Sequence, residues 1–338
     1  MAQEHCVIIG NGPAANQAAL TLRENSPDML ITLVGQEPFP HYRPHLLPDY
    51  ISGKLSENDL YVSPTEFYKR SGIKVRLGQQ VVNIDFCSRE LALSHKEIIS
   101  FDGLIIACGG RQRIPERMQV FEDLMLTLKT PADAAVWIDR LTQVDSVLIV
   151  GGDLTSLSLT KALLSLKKRV FFMLNEDSFW PVPLGTEVAQ QVRLRLMEKG
   201  VEVLESGRIR RVARISDVRL EVETDWETFK VGILGVFYGM VPDVKFLARS
   251  GLDIDRGILV DEHLRTRFDL VYAAGDCAQV YHPGIKDYWV SIGYENAISL
   301  GKVAALNLLG GMYAVETAPS SIFTVDGIVV NTSWWLEF

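Results

Sequence analysis

The chain has 338 residues, of which 47% are hydrophobic and 22% charged, the balance of a globular protein with a sizeable core and, by its length, of two domains. A net charge of −8 argues against a protein that binds nucleic acid through a basic face, and no apolar run is long enough to span a bilayer. The cysteines Cys6, Cys87, Cys108 and Cys277 stand far apart with no CxxC among them, which fits free thiols in a reducing cytoplasm and removes the usual signature of a redox-active disulfide.

The first predicted strand, Cys6–Ile9, begins about five residues into the chain, which leaves no room for a secretion signal before it. Gly10-Asn11-Gly12-Pro13-Ala14-Ala15 follows as G-x-G-x-x-A, and Asn16 to Leu22 then carries apolar residues at helical spacing. Strand, glycine turn and helix in this order form the context a dinucleotide-binding turn requires. Gly10 allows the tight turn, Gly12 lets the backbone approach a pyrophosphate, and Ala15 stands where a third glycine lets the helix pack close to the strand. The helix N-terminus adds unpaired N–H groups and about half a positive charge. A second strand is expected over Leu30–Val34, with Glu37 roughly 20 residues past the turn, where a carboxylate would meet a ribose.

Pro38, Pro40, Pro44 and Pro48 lock φ and make the next stretch an ordered loop. In it Tyr42 and Arg43 are candidates for contacting a planar ligand, by stacking and by charge. Residues 59–70 read as a short helix, and Lys74–Leu77, Val81–Asp85 and Glu90–Leu93 alternate like the strands of a small meander. Phe101 to Gly110 is a buried strand ending in two glycines, a signal for backbone lying close to a ligand.

After a connector with a helix over Ala132–Leu141, a second strand-turn-helix opens at Val147–Val150 and runs through Gly151-Gly152-Asp153-Leu154-Thr155-Ser156. Its helix is expected to reach Leu166, with Val170–Leu174 as the next strand. This internal repeat of the opening unit predicts an α/β chain with two Rossmann-like domains. A helix over Val188–Lys199 follows, then strands near 201–204, 208–214 and 218–223 and a buried strand near 231–238. Gly239-Met240-Val241-Pro242 reads as the return to the first domain. Gly257–Val260 and Leu270–Asp276 are further strand-like runs, the second ending in an acid placed to accept from ligand hydroxyls beside a nucleotide cleft. A long amphipathic helix over residues 293–309 precedes a thinly patterned end, Trp334-Trp335-Leu336-Glu337-Phe338.

Taken together these motifs resemble the FAD-dependent pyridine nucleotide-disulfide oxidoreductase superfamily, over about residues 5–310. Within it they are similar to NADH:rubredoxin reductases, ferredoxin reductases of oxygenase systems and the flavin part of assimilatory nitrite reductases. Gly10-x-Gly12-x-x-Ala15 matches the turn that holds the ADP part of FAD, and Pro13 and Ala14 within it share the assignment. Tyr42-Arg43-Pro44 matches a loop near the flavin, and Ala107-Cys108-Gly109 matches a segment in which the family has Ala-Thr-Gly. Gly275-Asp276 matches the second FAD segment, whose Asp binds the ribityl chain in the family. The helix after it, starting near Ser291, is implied to point its N-terminus at the flavin, and Val82 is implied as a further FAD contact. The resemblance implies an FAD-binding domain over 1–115 and 243–312, an NAD(P)-binding-like domain over 116–242, and a short tail over 313–338. That tail stands where the family has a C-terminal domain of roughly one hundred residues.

The second turn departs from the family pattern G-G-G-x-x-G-x-E. Gly151 and Gly152 are kept, but Asp153, Ser156 and Ser158 replace the third glycine, the fourth glycine and the glutamate. Asp153 puts a carboxylate near the expected pyrophosphate, which is unfavourable if it is ionised and unpaired. Leu174 stands where an acid usually selects NADH, with Glu176 and Asp177 slightly later as possible substitutes. The candidate NAD(P) residues are therefore Gly151, Gly152, Asp153, Leu154, Thr155, Ser156 and Glu176. Pro48 and Ser158 fall where relatives pair a Lys with that Glu; losing both partners avoids stranding a charge. A rebuilt nicotinamide pocket and drift in a disused site both stay open.

No spacing predicts a metal site, and no residue is required as general acid or base, because the flavin carries the chemistry. Cys108 and Cys277 read as small buried hydrophobes. Trp289 and Tyr294 are as readily core as flavin shields, and the apolar terminus is expected to tuck into its own core or to dock on a partner. The resemblance implies a cytoplasmic FAD-dependent NAD(P)H oxidoreductase that passes electrons to rubredoxin, ferredoxin or an iron–sulfur subunit, as a homodimer or a subunit of a complex. Two alternatives are an electron-transfer subunit with a degenerate NAD(P) site and a silent FAD-containing scaffold.

Overall fold

The computed structural model describes residues 4–63, 65–174, 186–204, 207–284, 286–290, 293–315, 322–325 and 328–331. The chain divides into two units, the first made of Met1–Arg43, Tyr61–Arg111 and Val241–Ser321, the second of Pro44–Leu60, Gln112–Met240 and Ile322–Phe338. The parallel strands, in chain order, are β1 (His5–Ile9), β2 (Leu30–Val34), β3 (Ile73–Arg76), β4 (Gly103–Ile106), β5 (Ser146–Gly151), β6 (Arg169–Leu174), β7 (Glu202–Leu204), β8 (Ile233–Phe237) and β9 (Val271–Ala273). The longer helices are α1 (Pro13–Asn25), α2 (Pro131–Leu141), α3 (Leu154–Ser165), α4 (Thr186–Glu198) and α5 (Tyr294–Leu308).

In the first unit the strand order is β9-β4-β1-β2-β3. All neighbours are parallel, with Ile9 opposite Val34 on one side and Ile106 on the other. The near-continuous apolar runs of β1, β2 and β4 suit strands covered on both faces, and they are buried almost throughout. The order reverses at β1, so a crevice opens beyond the carboxyl ends of β1 and β4, the place where such sheets take their ligands. Helix α1 packs against α5 through small residues: a Cβ on Gly301 would meet the Ala14 carbonyl oxygen at 2.2 Å.

Two sequence expectations shift here. The run expected over Lys74–Leu77 joins the parallel sheet as edge strand β3, beside β2, rather than the meander. The meander is Val81–Asp85, Glu90–Leu93 and Ile98–Ser100, an antiparallel sheet of its own. The helix expected over 59–70 is interrupted by an extended segment, Tyr61–Ser63, which pairs with His41–Tyr42. Ser63 precedes Pro64, and the proline ring pushes its predecessor out of the helical region.

The second unit repeats the plan with order β7-β6-β5-β8, again all parallel. An antiparallel meander of Ile209–Ser216, Arg219–Thr224 and Thr228–Val231 lies between β7 and β8 in the chain. The strand expected over 231–238 is split at Gly232, where a Cβ would stand 2.3 Å from Val144 Cβ. Helix α2 starts on a capping box in which Thr130 and Asp133 each bond the other's backbone N–H. The short helix Leu47–Ile51, inside the proline-rich stretch, packs against α2 and α3. After the tail's beginning, Ile322–Val325 and Ile328–Asn331 pair as an antiparallel hairpin that lies by α3 and α4. Among the described residues no helix is long and apolar enough to cross a membrane.

Candidate functional site

Each sheet ends in a glycine turn of the same construction. After β1, Gly10 has φ +119°, and a Cβ there would lie 2.0 Å from the Ala107 carbonyl oxygen. After β5, Gly151 has φ +135°, and a Cβ there would lie 1.6 Å from the Phe237 carbonyl oxygen. The positive φ and the neighbouring strand's carbonyl both demand glycine, because no L side chain fits. In each case the neighbour is the strand across the reversal of order, so the turn sits at the crevice.

The helices that leave these turns start differently. Gly12 is the N-cap of α1, with Pro13 at the first helical position and no side-chain cap among the described residues. A Cβ on Gly12 would meet nothing within 4 Å, so the space in front of the first N–H groups is open. Ala14 and Ala15 are buried behind them; Ala14 Cβ lies 3.0 Å from the Cβ position of Gly275. The turn itself is tied by Asn16, buried on α1, whose Nδ2 donates to the carbonyls of Asn11 at 2.8 Å and Gly12 at 3.0 Å. Tyr68 hydroxyl in turn donates to Asn16 Oδ1. Asn16 was not among the residues expected from the sequence; its signal there is a polar residue on the inward face of an otherwise apolar helix.

Around the first turn the structure gathers several expected residues from elsewhere in the chain. Glu37, half-buried just past β2, accepts from the Tyr42 hydroxyl at 2.8 Å. Ala107 N–H donates to Ile9 O at 2.7 Å, and Gly109 turns with φ +69°. Gly275 and half-buried Asp276 follow β9, next to β4. Arg43 hydrogen-bonds the Tyr294 hydroxyl at the start of α5. His41 stacks on Tyr294 with ring centroids 6.3 Å apart, and its Nδ1 is buried without a hydrogen-bond partner among the described residues. Burial and then the Arg43 charge push the His41 imidazole down to about 4, so it is neutral at physiological pH. Val82 is 43% exposed on the antiparallel sheet. It stands three residues after Gln79, whose N–H donates to Gly35 O at 2.9 Å. Pro44 falls at the start of the second unit's first segment. Ser291, Glu176, Asp177 and the Trp334–Phe338 end lie outside the described residues.

The structure also brings together two thiols that are far apart in the chain. The Cys277 sulfur lies 3.3 Å from the carbonyl oxygens of Ile106 and of Ala274, and Cys108 donates to Asp243 O at 3.5 Å. The two thiols act on one another, which holds Cys277 below and Cys108 above the ordinary thiol value. Both are free cysteines at the carboxyl ends of adjacent strands.

The second turn is filled by its own chain. Asp153 is the N-cap of α3 and is 7% exposed. One carboxylate oxygen accepts from Ser156 N–H at 2.8 Å, and the other accepts from Gly239 N–H at 3.1 Å. Ser156 is fully buried and returns its hydroxyl to the Asp153 carbonyl at 2.6 Å. Burial pushes the Asp153 carboxyl up to about 6, against the opposing pull of these N–H donors. Leu154 and Thr155 are half-buried on the first turn of α3. Ser158 is on α3, and Pro48 is buried in the short helix packed against it.

A model of the pyridine nucleotide-disulphide oxidoreductase family matches residues 4–304. Rhodocoxin reductase of Rhodococcus erythropolis is 27% identical over 317 residues, covering 93% of this chain and 74% of that protein. Putidaredoxin reductase of Pseudomonas putida is 26% identical over 326 residues, covering 94% of this chain and 77% of that protein. Among solved structures, a covalent putidaredoxin reductase–putidaredoxin complex shares the fold with a TM-score of 0.87 at 24% identity, covering 97% of this chain and 80% of that one.

Proposed function

The chain belongs to the pyridine nucleotide-disulphide oxidoreductase family, and from that premise we propose that it is an FAD-dependent NAD(P)H oxidoreductase that hands electrons to a small redox protein of the ferredoxin or rubredoxin kind. The observation that carries the reading is the first turn: an uncapped helix N-terminus, open in front of Gly12, at the crevice between β1 and β4. Its donors suit a diphosphate, and the half-buried carboxylates of Glu37 and Asp276 suit ligand hydroxyls. The residues present therefore fit FAD. Bound FAD would supply the conversion between a two-electron donor and a one-electron acceptor.

In this reading Gly10, Gly12, Pro13, Ala14 and Ala15 hold the diphosphate end, with Glu37 toward the ribose and Val82 beyond it. Tyr42, Arg43 and Pro44, with Ala107, Cys108 and Gly109, border the flavin, and Gly275, Asp276 and Ser291 complete its other side. The FAD domain is then 1–115 with 243–312, the NAD(P) domain is 116–242 with Gly151 to Ser156 and Glu176, and 313–338 is the tail; the structure's compact units differ from these bounds in grouping Pro44–Leu60 and Ile322–Phe338 with Gln112–Met240. The names of the two reductases support a protein acceptor. The wide spacing of the four cysteines, with no CxxC among them, supports a reducing cytoplasm. One observation favours a second reading, an electron-transfer subunit fed by a partner: the donors of the second turn are already taken by Asp153.

The test is anaerobic mixing of the FAD-loaded protein with NADH and then NADPH, followed by addition of a ferredoxin or rubredoxin. Bleaching of the flavin band by either nucleotide, and reduction of the acceptor, is expected. A flavin that dithionite reduces but neither nucleotide does would overturn the donor assignment in favour of the second reading.

A further inference from the structure

The two glycine turns share a strand-glycine-helix plan, and they differ in what caps the helix. At α1 the N-cap is Gly12 and the space ahead of the helix is open. At α3 the N-cap is Asp153, and its two oxygens take N–H groups from two places, Ser156 on the helix and Gly239 beyond the end of β8, 86 residues away in the chain. These donors lie where a doubly wound sheet holds the anion of its ligand, at a helix N-terminus beside the reversal of strand order. A simple helix cap would need only the Ser156 bond. The second bond, from another element, closes the crevice side as well.

We infer that the Asp153 carboxylate stands in for a dinucleotide's diphosphate in the second unit, so that this unit binds dinucleotide tightly only when that carboxyl is protonated or turned away. The inference rests on the reading of the second unit as a dinucleotide site and adds what controls it. A diphosphate meeting the ionised carboxylate would lose its donors and face a like charge in a dry site.

Of the charged residues near this turn among the described residues, Arg113 gives its backbone N–H to the Gly239 carbonyl at 2.9 Å. Strands β5 and β8 carry no charged residue, and α3 carries only Lys161, well along the helix. On the flanking segments, Asp49 pairs with Lys54, and Arg117 lies over the Tyr238 ring. What sets the titration of Asp153 is burial first and then the N–H groups of Ser156, Gly239 and Thr155 and the Ser156 hydroxyl. With the carboxyl titrating at about 6, roughly one-tenth of molecules are protonated at about pH 7 and roughly three-quarters at about pH 5.5, so apparent affinity should rise roughly eight-fold over that interval.

The experiment uses the FAD-loaded full chain and isothermal titration with ADP-ribose, which carries the diphosphate but cannot reduce the flavin. Wild type should bind weakly at neutral pH and about eight-fold tighter near pH 5.5. Asp153→Gly should bind about ten-fold tighter than wild type at neutral pH, with the pH slope gone. Asp153→Ser keeps a helix-capping oxygen without the charge, so it should do the same even if the glycine variant folds poorly. A wild-type affinity that is flat with pH, or variants that bind no more tightly than wild type, would overturn the inference. Parallel mixing with NADH separates the two claims. Flavin reduced by NADH with flat ADP-ribose binding sinks the inference alone. Variants that gain ADP-ribose binding while NADH still fails to reduce their flavin sink the donor assignment alone. No binding and no reduction in all three proteins sinks both.

Discussion

A methyl group at Gly10 would have to occupy space 2.0 Å from the Ala107 carbonyl oxygen, at a φ that L residues avoid. Gly10→Ala is therefore expected to cost at least about 3 kcal/mol and to abolish flavin retention, read as a lowered urea midpoint and loss of yellow colour. The tight turn was legible in the sequence as a glycine between a buried strand and a helix, but the Ala107 carbonyl that closes on it was not. Asp153 was legible only as a misfit. Its buried carboxyl has a raised value, so it favours the fold when protonated, below the unfolded value of 3.8, and that contribution is lost as pH rises through about 6. Relative to Asp153→Asn, wild type should gain about 2 kcal/mol between about pH 7 and about pH 4, measured as the difference between the two denaturation curves. The cysteines divide by burial: Cys87 is exposed, while Cys6 is buried and its thiol is pushed up by that burial. A maleimide should label Cys87 first under native conditions and Cys6 only after denaturation, as read by peptide mass spectrometry.

At the scale of elements, period and punctuation located most strands and helices, and α5 falls within a residue of where the pattern put it. What the pattern could not do was assign partners. Ile73–Arg76 alternates like a meander strand, yet it pairs with β2, because an edge strand buried on one face has the same alternation in either sheet. The crossing of α1 and α5 depends on Gly301, where a Cβ would stand 2.2 Å from the Ala14 carbonyl oxygen. Gly301→Ala should push the helices apart at a cost of about 2 kcal/mol and weaken FAD binding by shifting the N-terminus of α1, checked by urea unfolding and by flavin titration. The capping box of α2 gives a local control: Thr130→Ala should lower stability by about 1 kcal/mol without changing flavin affinity.

Over the whole molecule the chain runs the same plan twice: three parallel strands, an antiparallel meander, and a fourth parallel strand, with β9 added to the first sheet after the return. If FAD belongs to the first unit, a free concentration about 100-fold above its Kd should stabilise that unit by about 2.7 kcal/mol. In calorimetry this should raise one transition and leave the other in place. The sequence by itself determined the two strand-turn-helix openings and the α/β class, because these are written in neighbouring residues by local sterics and periodicity; the departure at Asp153 showed only against the pattern of the family the sequence resembles. Only the tertiary structure decided which strand closes on each glycine, that Cys108 meets Cys277, and that Pro44–Leu60 belongs to the second unit. It alone decided that Asp153 is answered by Gly239, 86 residues away. Burial and hydrogen-bond donors come from whatever the fold brings alongside, and no local pattern encodes a neighbour that distant.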